Sequence, residues 1–202
     1  MMLIVDCGSS KTPYIASIME EFCDTKTVGF HDLTEEMAKD VRGIIFSGAP
    51  LLITDINMTP YTEHVSWIKE YPKPVLGICF GHQLLGLLHG AFGAKMREDR
   101  DWQEIERIED SPLFDRLPDC FDMMEDHCEH INVPPGFRLI AASDACINEA
   151  MQHEDKFIFG VQFHPEVVHT PEGATLLQNF VYTLCGCAPT WTMASFIEDR
   201  KS

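Results

Sequence analysis

Positive charge is scarce in this chain. Its 202 residues include 15 Lys and Arg against 32 Asp and Glu, which gives a formal net charge of −17 at pH 7. Because so acidic a surface repels phosphate backbones and anionic lipid headgroups, we expect neither nucleic acid nor a membrane surface as a partner. The simplest role of the negative charge is solubility.

The sequence also lacks a long apolar run and a basic N-terminal stretch followed by an apolar core. Gly or His interrupts its longest apolar runs well short of the roughly 20 residues that a membrane span needs. The eight cysteines occur at irregular spacings, which is not the pattern of a secreted disulfide framework. We therefore expect a cytoplasmic protein.

No repeat, low-complexity tract or linker-like break divides the chain, and its 45% hydrophobic content can form one substantial core. Up to residue 88, short apolar runs alternate with amphipathic segments, which predicts an α/β fold with a central, mostly parallel sheet and helices on both faces. A β-rich mixed extension follows, and then a last helix. The predicted strands are 3–7, 43–47, 75–78, 102–108, 121–125, 138–142, 148–153 and 157–163, and the predicted helices are 13–22, 61–70, 81–88 and 171–184.

A candidate nucleophile lies in the segment Gly77–Gly81, where Cys79 stands between two glycines directly after a short apolar strand. This is the pattern of a nucleophile elbow, a strained turn from strand to helix that needs small neighbours. The N-terminus of the following helix, His82–His89, favours a thiolate at Cys79. The alternative is an inert buried cysteine in a central strand, but two nearby glycines are unusual in a strand interior.

A candidate base, His164, lies 85 residues further along, at the end of a β-rich segment. Pro165 keeps the backbone extended, so His164 and Glu166 project to the same side. A carboxylate on one ring nitrogen would fix the tautomer and leave the other nitrogen to exchange a proton with Cys79. The alternative is a strand-end histidine beside a solvated glutamate.

These motifs resemble those of a known family, the class I (Cys-His-Glu triad) glutamine amidotransferases, and most of all the glutaminase part of GMP synthetase. The match runs nearly end to end, starting with the strand and turn Leu3–Thr12. The segment Ile44–Pro50 resembles the oxyanion-loop motif Ser-Gly-Gly-Pro, and Gly77–Gln83 matches the nucleophile motif. The segment Gly160–Val167, continued by residues 169–170, matches the His-Glu motif.

The resemblance implies a flavodoxin-like domain that hydrolyses L-glutamine to glutamate and ammonia through a thioester on Cys79, without a cofactor or a metal. His164 and Glu166 would be the other catalytic residues, and the backbone N–H groups of Ala49 and Phe80 would form the oxyanion hole. The substrate-binding residues implied by the resemblance are Gly48, Gln83, Asp126, His127, Cys128 and Glu129. For Gln83 an ordinary structural role in the first helical turn stays open.

The resemblance also divides the chain into an amidotransferase domain over residues 1–186 and a tail over residues 187–202. Within the tail, Trp191–Glu198 resembles the entry to the ATP pyrophosphatase domain of GMP synthetase. No Ser-Gly-Gly-Val-Asp-Ser motif of such a domain occurs in the 202 residues. We therefore expect the ammonia to pass to a separate synthetase, an ATP pyrophosphatase subunit that makes GMP from XMP.

Three departures from the family pattern leave other functions open. Ala49 replaces a glycine, which matters if the oxyanion loop needs positive φ, and Cys128 and Glu129 replace a Gly-Asp pair. These two departures leave open a stand-alone hydrolase of γ-glutamyl or other amides, or an inactive regulatory relative. The third, Arg100–Glu104, replaces a Tyr-Gly type sequence in a segment that faces the synthetase in the family, which implies a changed partner surface. A metal site at residues 127–130 is disfavoured, because adjacent residues of a strand point to opposite faces.

Overall fold

The computed structural model describes residues 1–167 and 171–187. The motif residues His169 and Thr170 and the tail segment Trp191–Glu198 lie outside this part.

The α-helices are α1 (Thr12–Glu20), α2 (Glu35–Ala38), α3 (Thr59–His64), α4 (Phe80–Leu88) and α5 (Pro171–Gln178), which continues as a π-helix over Asn179–Leu184. Short 3-10 helices span Phe30–Asp32, Ser66–Glu70 and Pro112–Phe114. The strands are β1 (Met2–Asp6), β2 (Thr25–Gly29), β3 (Ile44–Phe46), β4 (Val75–Ile78), β5 (Gly93–Asp99), β6 (Trp102–Arg107), β7 (Cys120–Met124), β8 (His127–Ile131), β9 (Phe137–Ala142), β10 (Ala150–His153) and β11 (Ile158–Val161).

Nine of these strands form one sheet in the order β2-β1-β3-β4-β11-β10-β9-β6-β7. The first five run parallel to one another, and the last four extend the sheet in antiparallel pairs. The parallel part has the strand order 2-1-3-4-5 of flavodoxin-like folds. This confirms the predicted α/β fold with its β-rich extension.

The alternation of side chains along β1 divides the core into two layers. Met2 and Ile4 pack into a cluster with α1 and α5, whereas Leu3 and Val5 pack into a cluster with α4 on the opposite face. Both faces of the parallel sheet are therefore covered by helices, which is why the inner strands β1, β3, β4 and β11 are almost fully buried, whereas the edge strand β2 is largely exposed. These two layers fix the positions of the loops that leave the carboxyl ends of the strands.

The structure corrects the sequence prediction at several elements. Three strands, β2, β5 and β8, were not predicted, because most of their residues are polar and charged. The helix predicted over 61–70 is two pieces, α3 and the 3-10 helix Ser66–Glu70. β5 and β8 pair with each other in a separate small sheet, which lies outside the order of the main sheet. Among the described residues, none of the helices has the length and apolar character that crossing a membrane requires.

Candidate functional site

A cavity of about 410 Å³ lies at the carboxyl edge of the parallel strands. Its walls come from the loops after β1, β3, β4 and β11 and from the start of β8. In open α/β sheets this edge is where ligands bind. The lining residues that bear on the chemistry are Lys11, Ala49, Cys79, Phe80, Gln83, Arg100, Asp126, His127, Cys128, Glu129 and His164.

Cys79 forms the turn from β4 to α4 with φ 53° and ψ −106°, a conformation that side-chain-bearing residues rarely adopt. The turn is tight enough to need both neighbouring glycines. A Cβ on Gly77 would lie 2.4 Å from the backbone of Gly81, and a Cβ on Gly81 would lie 2.5 Å from the carbonyl oxygen of Phe46. The geometry is therefore that of a nucleophile elbow, with a thiol at its apex.

The His164 ring lies between Cys79 and Glu166. Its Nδ1 is 2.7 Å from Glu166 Oε1, and both side chains are almost fully buried. Cys79 is near enough to the ring to interact with it electrostatically. Burial lowers the pKa of His164, but the neighbouring sulfur and carboxylate outweigh it and raise the pKa from 6.5 to about 10. The arrangement therefore favours the charged imidazolium form of His164 beside the Cys79 sulfur.

Two glutamines connect the elbow to the strand that precedes His164. Gln162 Nε2 donates to Cys79 Sγ over 3.6 Å, and Gln162 Oε1 accepts from Gln83 Nε2 at 3.1 Å. Gln83 also donates to the backbone oxygen of Glu129 at 3.0 Å, so its amide is held by protein groups while it lines the cavity. Gln162 was not predicted as a site residue, although it lies two residues before His164 along an extended segment and so projects to the same side.

The loop after β3 faces the elbow across a narrow gap. A Cβ on Gly48 would lie 3.4 Å from His164 Cε1 and 3.7 Å from Cys79 Cβ, so Gly48 borders the space between sulfur and imidazole. Ala49 does not have a positive φ, and its Cβ therefore adds no backbone strain. Phe80 is the first residue of α4, where an N–H has no carbonyl of its own helix to bind.

Asp126 lies at the mouth of the cavity between two cations. Its Oδ2 accepts from Lys11 Nζ at 2.5 Å, and its Oδ1 lies 3.1 Å from Arg100 Nε. Burial raises the pKa of Asp126, but Lys11, His164 and Arg100 outweigh this effect, so the pKa lies below its ordinary value. The backbone oxygen of Asp126 lies 3.9 Å from Cys79 Sγ. Lys11 and Arg100 were missed, since nothing local in the sequence links either of them to Asp126.

Alternation along β8 separates its four polar residues into two pairs. His127 and Glu129 point inward, while Cys128 and His130 are partly exposed on the other side. The Glu129 carboxylate accepts hydrogen bonds from the backbone N–H groups of Ile53 and Thr54, so it anchors the loop after β3. The four residues therefore do not converge on one ion.

Comparisons with known proteins show the family of the chain. The family model described as "Glutamine amidotransferase class-I" matches residues 3–184. A GMP synthase (glutamine-hydrolyzing) subunit of Pyrococcus furiosus is 42% identical over 156 residues, which is 76% of this chain and 81% of that protein. The GMP synthase of Thermomicrobium roseum is also 42% identical, over 78% of this chain but only 29% of its own length. The chain thus spans about a third of such longer relatives.

Solved structures show the same architecture. A putative GMP synthase subunit from Thermoplasma acidophilum has a TM-score of 0.82 and 28% identity, and the match covers 100% of this chain and 98% of that one. A glutamine amidotransferase from Thermotoga maritima has a TM-score of 0.70 over 100% of this chain and 85% of that one, and at 17% identity it supports the fold alone. Because the family model and these relatives cover most of its length, the chain belongs to the class-I glutamine amidotransferase family.

Proposed function

We propose that the chain hydrolyses L-glutamine to glutamate and ammonia and acts as the glutaminase of a GMP synthetase. The observation that carries the proposal is the position of the His164 ring beside an open cavity. Its Nδ1 lies 2.7 Å from Glu166 Oε1, and the ring interacts electrostatically with the Cys79 sulfur. A sulfur activated by an oriented base is the requirement for covalent attack on an amide.

In the first half-reaction, Cys79 Sγ attacks the side-chain amide carbon, and a C–S bond forms as the carbonyl becomes an oxyanion. His164 then donates its proton to the departing nitrogen, the C–N bond breaks, and ammonia leaves a γ-glutamyl thioester. In the second half-reaction, His164 takes a proton from water as the water oxygen attacks the thioester carbon. The C–S bond then breaks, glutamate leaves, and His164 shares the proton with the released Cys79 sulfur. Glu166 keeps the ring oriented and stabilises its charged form in both steps.

The oxyanion is stabilised by backbone N–H groups. Phe80 supplies the N–H directly after the nucleophile, and Ala49 supplies one from the loop after β3. The absence of positive φ at Ala49 supports this role, because a Cβ is compatible with that backbone. At Cys128 the strand conformation likewise accepts a side chain, which supports an active enzyme over an inactive relative.

The glutamine backbone would lie towards the mouth of the cavity, near Gly48, Asp126 and His127, with Cys128 beside them. Gln83 and Glu129 contribute by holding that wall in place. Opposite charges at the mouth suit a zwitterionic amino acid.

The ammonia acceptor is proposed from the relatives. The homologous subunit of Pyrococcus furiosus carries the name GMP synthase (glutamine-hydrolyzing), and this chain covers 81% of it. We propose that an ATP pyrophosphatase subunit takes up the ammonia to convert XMP to GMP, and that residues 187–202 form the connection towards it. All eight cysteines are free thiols, which suits a reducing, cytoplasmic environment.

Glutamate release tests the proposal. The full chain is assayed alone and with an ATP pyrophosphatase subunit, ATP and XMP, because a partner can be needed to complete such a site. A glutamine-analogue electrophile should label the parent but not Cys79→Ala. The control is Cys120→Ala, which should still be labelled because the Cys120 thiol is exposed and lies outside the cavity. Label that is absent from Cys79 with the partner present would overturn the proposal, and turnover equal with and without the partner would instead favour a stand-alone amide hydrolase.

A further inference from the structure

A second cluster of titratable groups lies behind the proposed glutaminase site. Glu125, His127 and Glu149 each present one ligand atom, and these atoms all lie within 4.8 Å of one another. Glu125 and Glu149 are fully buried, and the His127 side chain is 3% exposed. Two carboxylates and one imidazole are thus enclosed together away from water, which is costly unless protons or a cation balance the charge.

The hydrogen bonds around His127 fix which ring nitrogen faces the cluster. Nδ1 lies 2.9 Å from the backbone oxygen of Glu129, and since a carbonyl oxygen only accepts, Nδ1 carries the hydrogen. Nε2 therefore points at the carboxylates, 3.0 Å from Glu125 Oε2, although the contact lacks the direction of an N–H···O hydrogen bond. An imidazole whose outer nitrogen donates to a carbonyl is the usual arrangement of a metal-bound histidine.

Glu149 is oriented in the same way. Ser143 Oγ donates to Glu149 Oε1 at 2.6 Å, which leaves Oε2 facing the cluster. Within the described part of the chain, neither Glu149 Oε2 nor either Glu125 oxygen accepts a hydrogen bond from an N–H or O–H donor. The two carboxyl groups can hydrogen-bond with each other only when one of them holds a proton.

We propose that Glu125, His127 and Glu149 form a binding site for one divalent cation of the zinc type. Two carboxylates balance the charge of such an ion, and one nitrogen with two oxygens is a ligand set that zinc accepts at about 2.0–2.2 Å. In a tetrahedral site with these bond lengths the ligand atoms lie about 3.3–3.6 Å apart. The atoms of the cluster lie within 4.8 Å of one another, so the side chains must close on the ion. Magnesium and calcium are less suitable, because they require several waters or six to eight oxygens.

The ion would brace one wall of the cavity. Glu125 directly precedes Asp126, whose backbone oxygen faces Cys79 Sγ, and the Met124 carbonyl before it accepts from the His164 N–H at 2.9 Å. The Glu149 carbonyl accepts from the Gln162 N–H at 2.7 Å. The role is therefore structural, and it is independent of glutamine hydrolysis.

The test uses the full chain with Cys79→Ala, which removes the thiol that would compete for metal and separates the result from catalysis. After chelator treatment, Co²⁺ should bind at one ion per chain and give the visible absorption of a four-coordinate site, and Zn²⁺ should displace it. Adding Glu149→Gln, which keeps the shape but removes the charge, should weaken binding by at least about 100-fold.

A matched control is the pair Cys128→Ser and His130→Gln, whose side chains lie on the opposite side of β8. Binding should persist in this control, and Zn²⁺ should raise the melting temperature there but not in Glu149→Gln. The melting temperatures of the metal-free proteins show that each variant is folded. Absence of a bound ion, binding that survives Glu149→Gln, or binding lost in the control would overturn the proposal.

Discussion

The backbone strain at Cys79 predicts an unusual order of stability among variants that lack the sulfur. With φ 53° and ψ −106°, Cys79 occupies a region that glycine adopts freely and alanine does not. Cys79→Gly and Cys79→Ala both remove the thiol. They differ only in the Cβ, so their difference in stability reports the strain in the turn.

The magnitude follows from two opposing effects. A non-glycine residue in a sparsely populated region costs about 1–3 kcal/mol, which Cys79→Gly relieves. Glycine also loses more backbone entropy on folding, which costs about 0.5–1 kcal/mol relative to alanine. The net advantage of glycine is then about 1 kcal/mol, and in a chain of this length this corresponds to a melting temperature roughly 2–4 °C higher.

Thermal and denaturant unfolding of the two variants measure the difference. Cys128 provides the control, because it lies within β8 and does not have a positive φ. There the order should reverse, with Cys128→Gly about 0.5–1 kcal/mol less stable than Cys128→Ala. The reasoning is refuted if Cys79→Gly melts at or below Cys79→Ala while the control pair behaves as stated.

Further predictions concern the residues around the sulfur. Glu166→Gln keeps the shape but removes the charge beside His164, so we expect kcat for glutamate release to fall by about 10²–10⁴-fold, and an unchanged kcat would contradict the proposed role. The pKa of His164 rises from 6.5 to about 10 on folding, so its stabilisation is complete below pH 6.5 and is lost as the pH rises through about 10. Denaturant titrations across this range should show a smaller loss in Glu166→Gln than in the parent, and an equal loss would count against the charge interaction. Gly48→Ala places a Cβ in ordinary contact with His164 and Cys79, so the melting temperature should hold while kcat/KM falls by about 10²-fold, a pairing that a misfolded variant would not give. Glu129→Ala leaves backbone N–H groups of the loop after β3 without their acceptor, and the free energy of unfolding should drop by about 1–3 kcal/mol, whereas no change would mean that water replaces the carboxylate.

The sequence predicts those parts of the fold and site that depend on residues close to one another in the chain. Two glycines around Cys79 predict a tight strand-to-helix turn, and the structure has that turn. Pro165 predicts an extended segment that keeps His164 and Glu166 on one side, and their side chains are 2.7 Å apart. Apolar strands in a βαβ pattern predict the parallel sheet, whose strand order then brings separate loops to one edge. The catalytic roles themselves stay predictions.

The parts that the sequence does not predict depend on residues far apart in the chain. The ion pair between Lys11 and Asp126 joins positions 115 residues apart, and no local pattern marks either partner. β8 was missed for a related reason, since two of its three inward positions are His127 and Glu129 and only Ile131 is apolar. A period-2 pattern is recognised by hydrophobicity, so a strand that buries polar side chains escapes it.

Two features next to Cys79 are unfavourable by themselves, namely the strained turn and the enclosed carboxyl groups of Glu125 and Glu149. Both require that the surrounding structure hold them in place. The apolar layers on the two faces of the sheet supply that support. Stability and activity should therefore separate in this protein. Relieving the strain or the buried charge stabilises the chain and impairs the site, so that Cys79→Gly is more stable than Cys79→Ala although both lack the nucleophile.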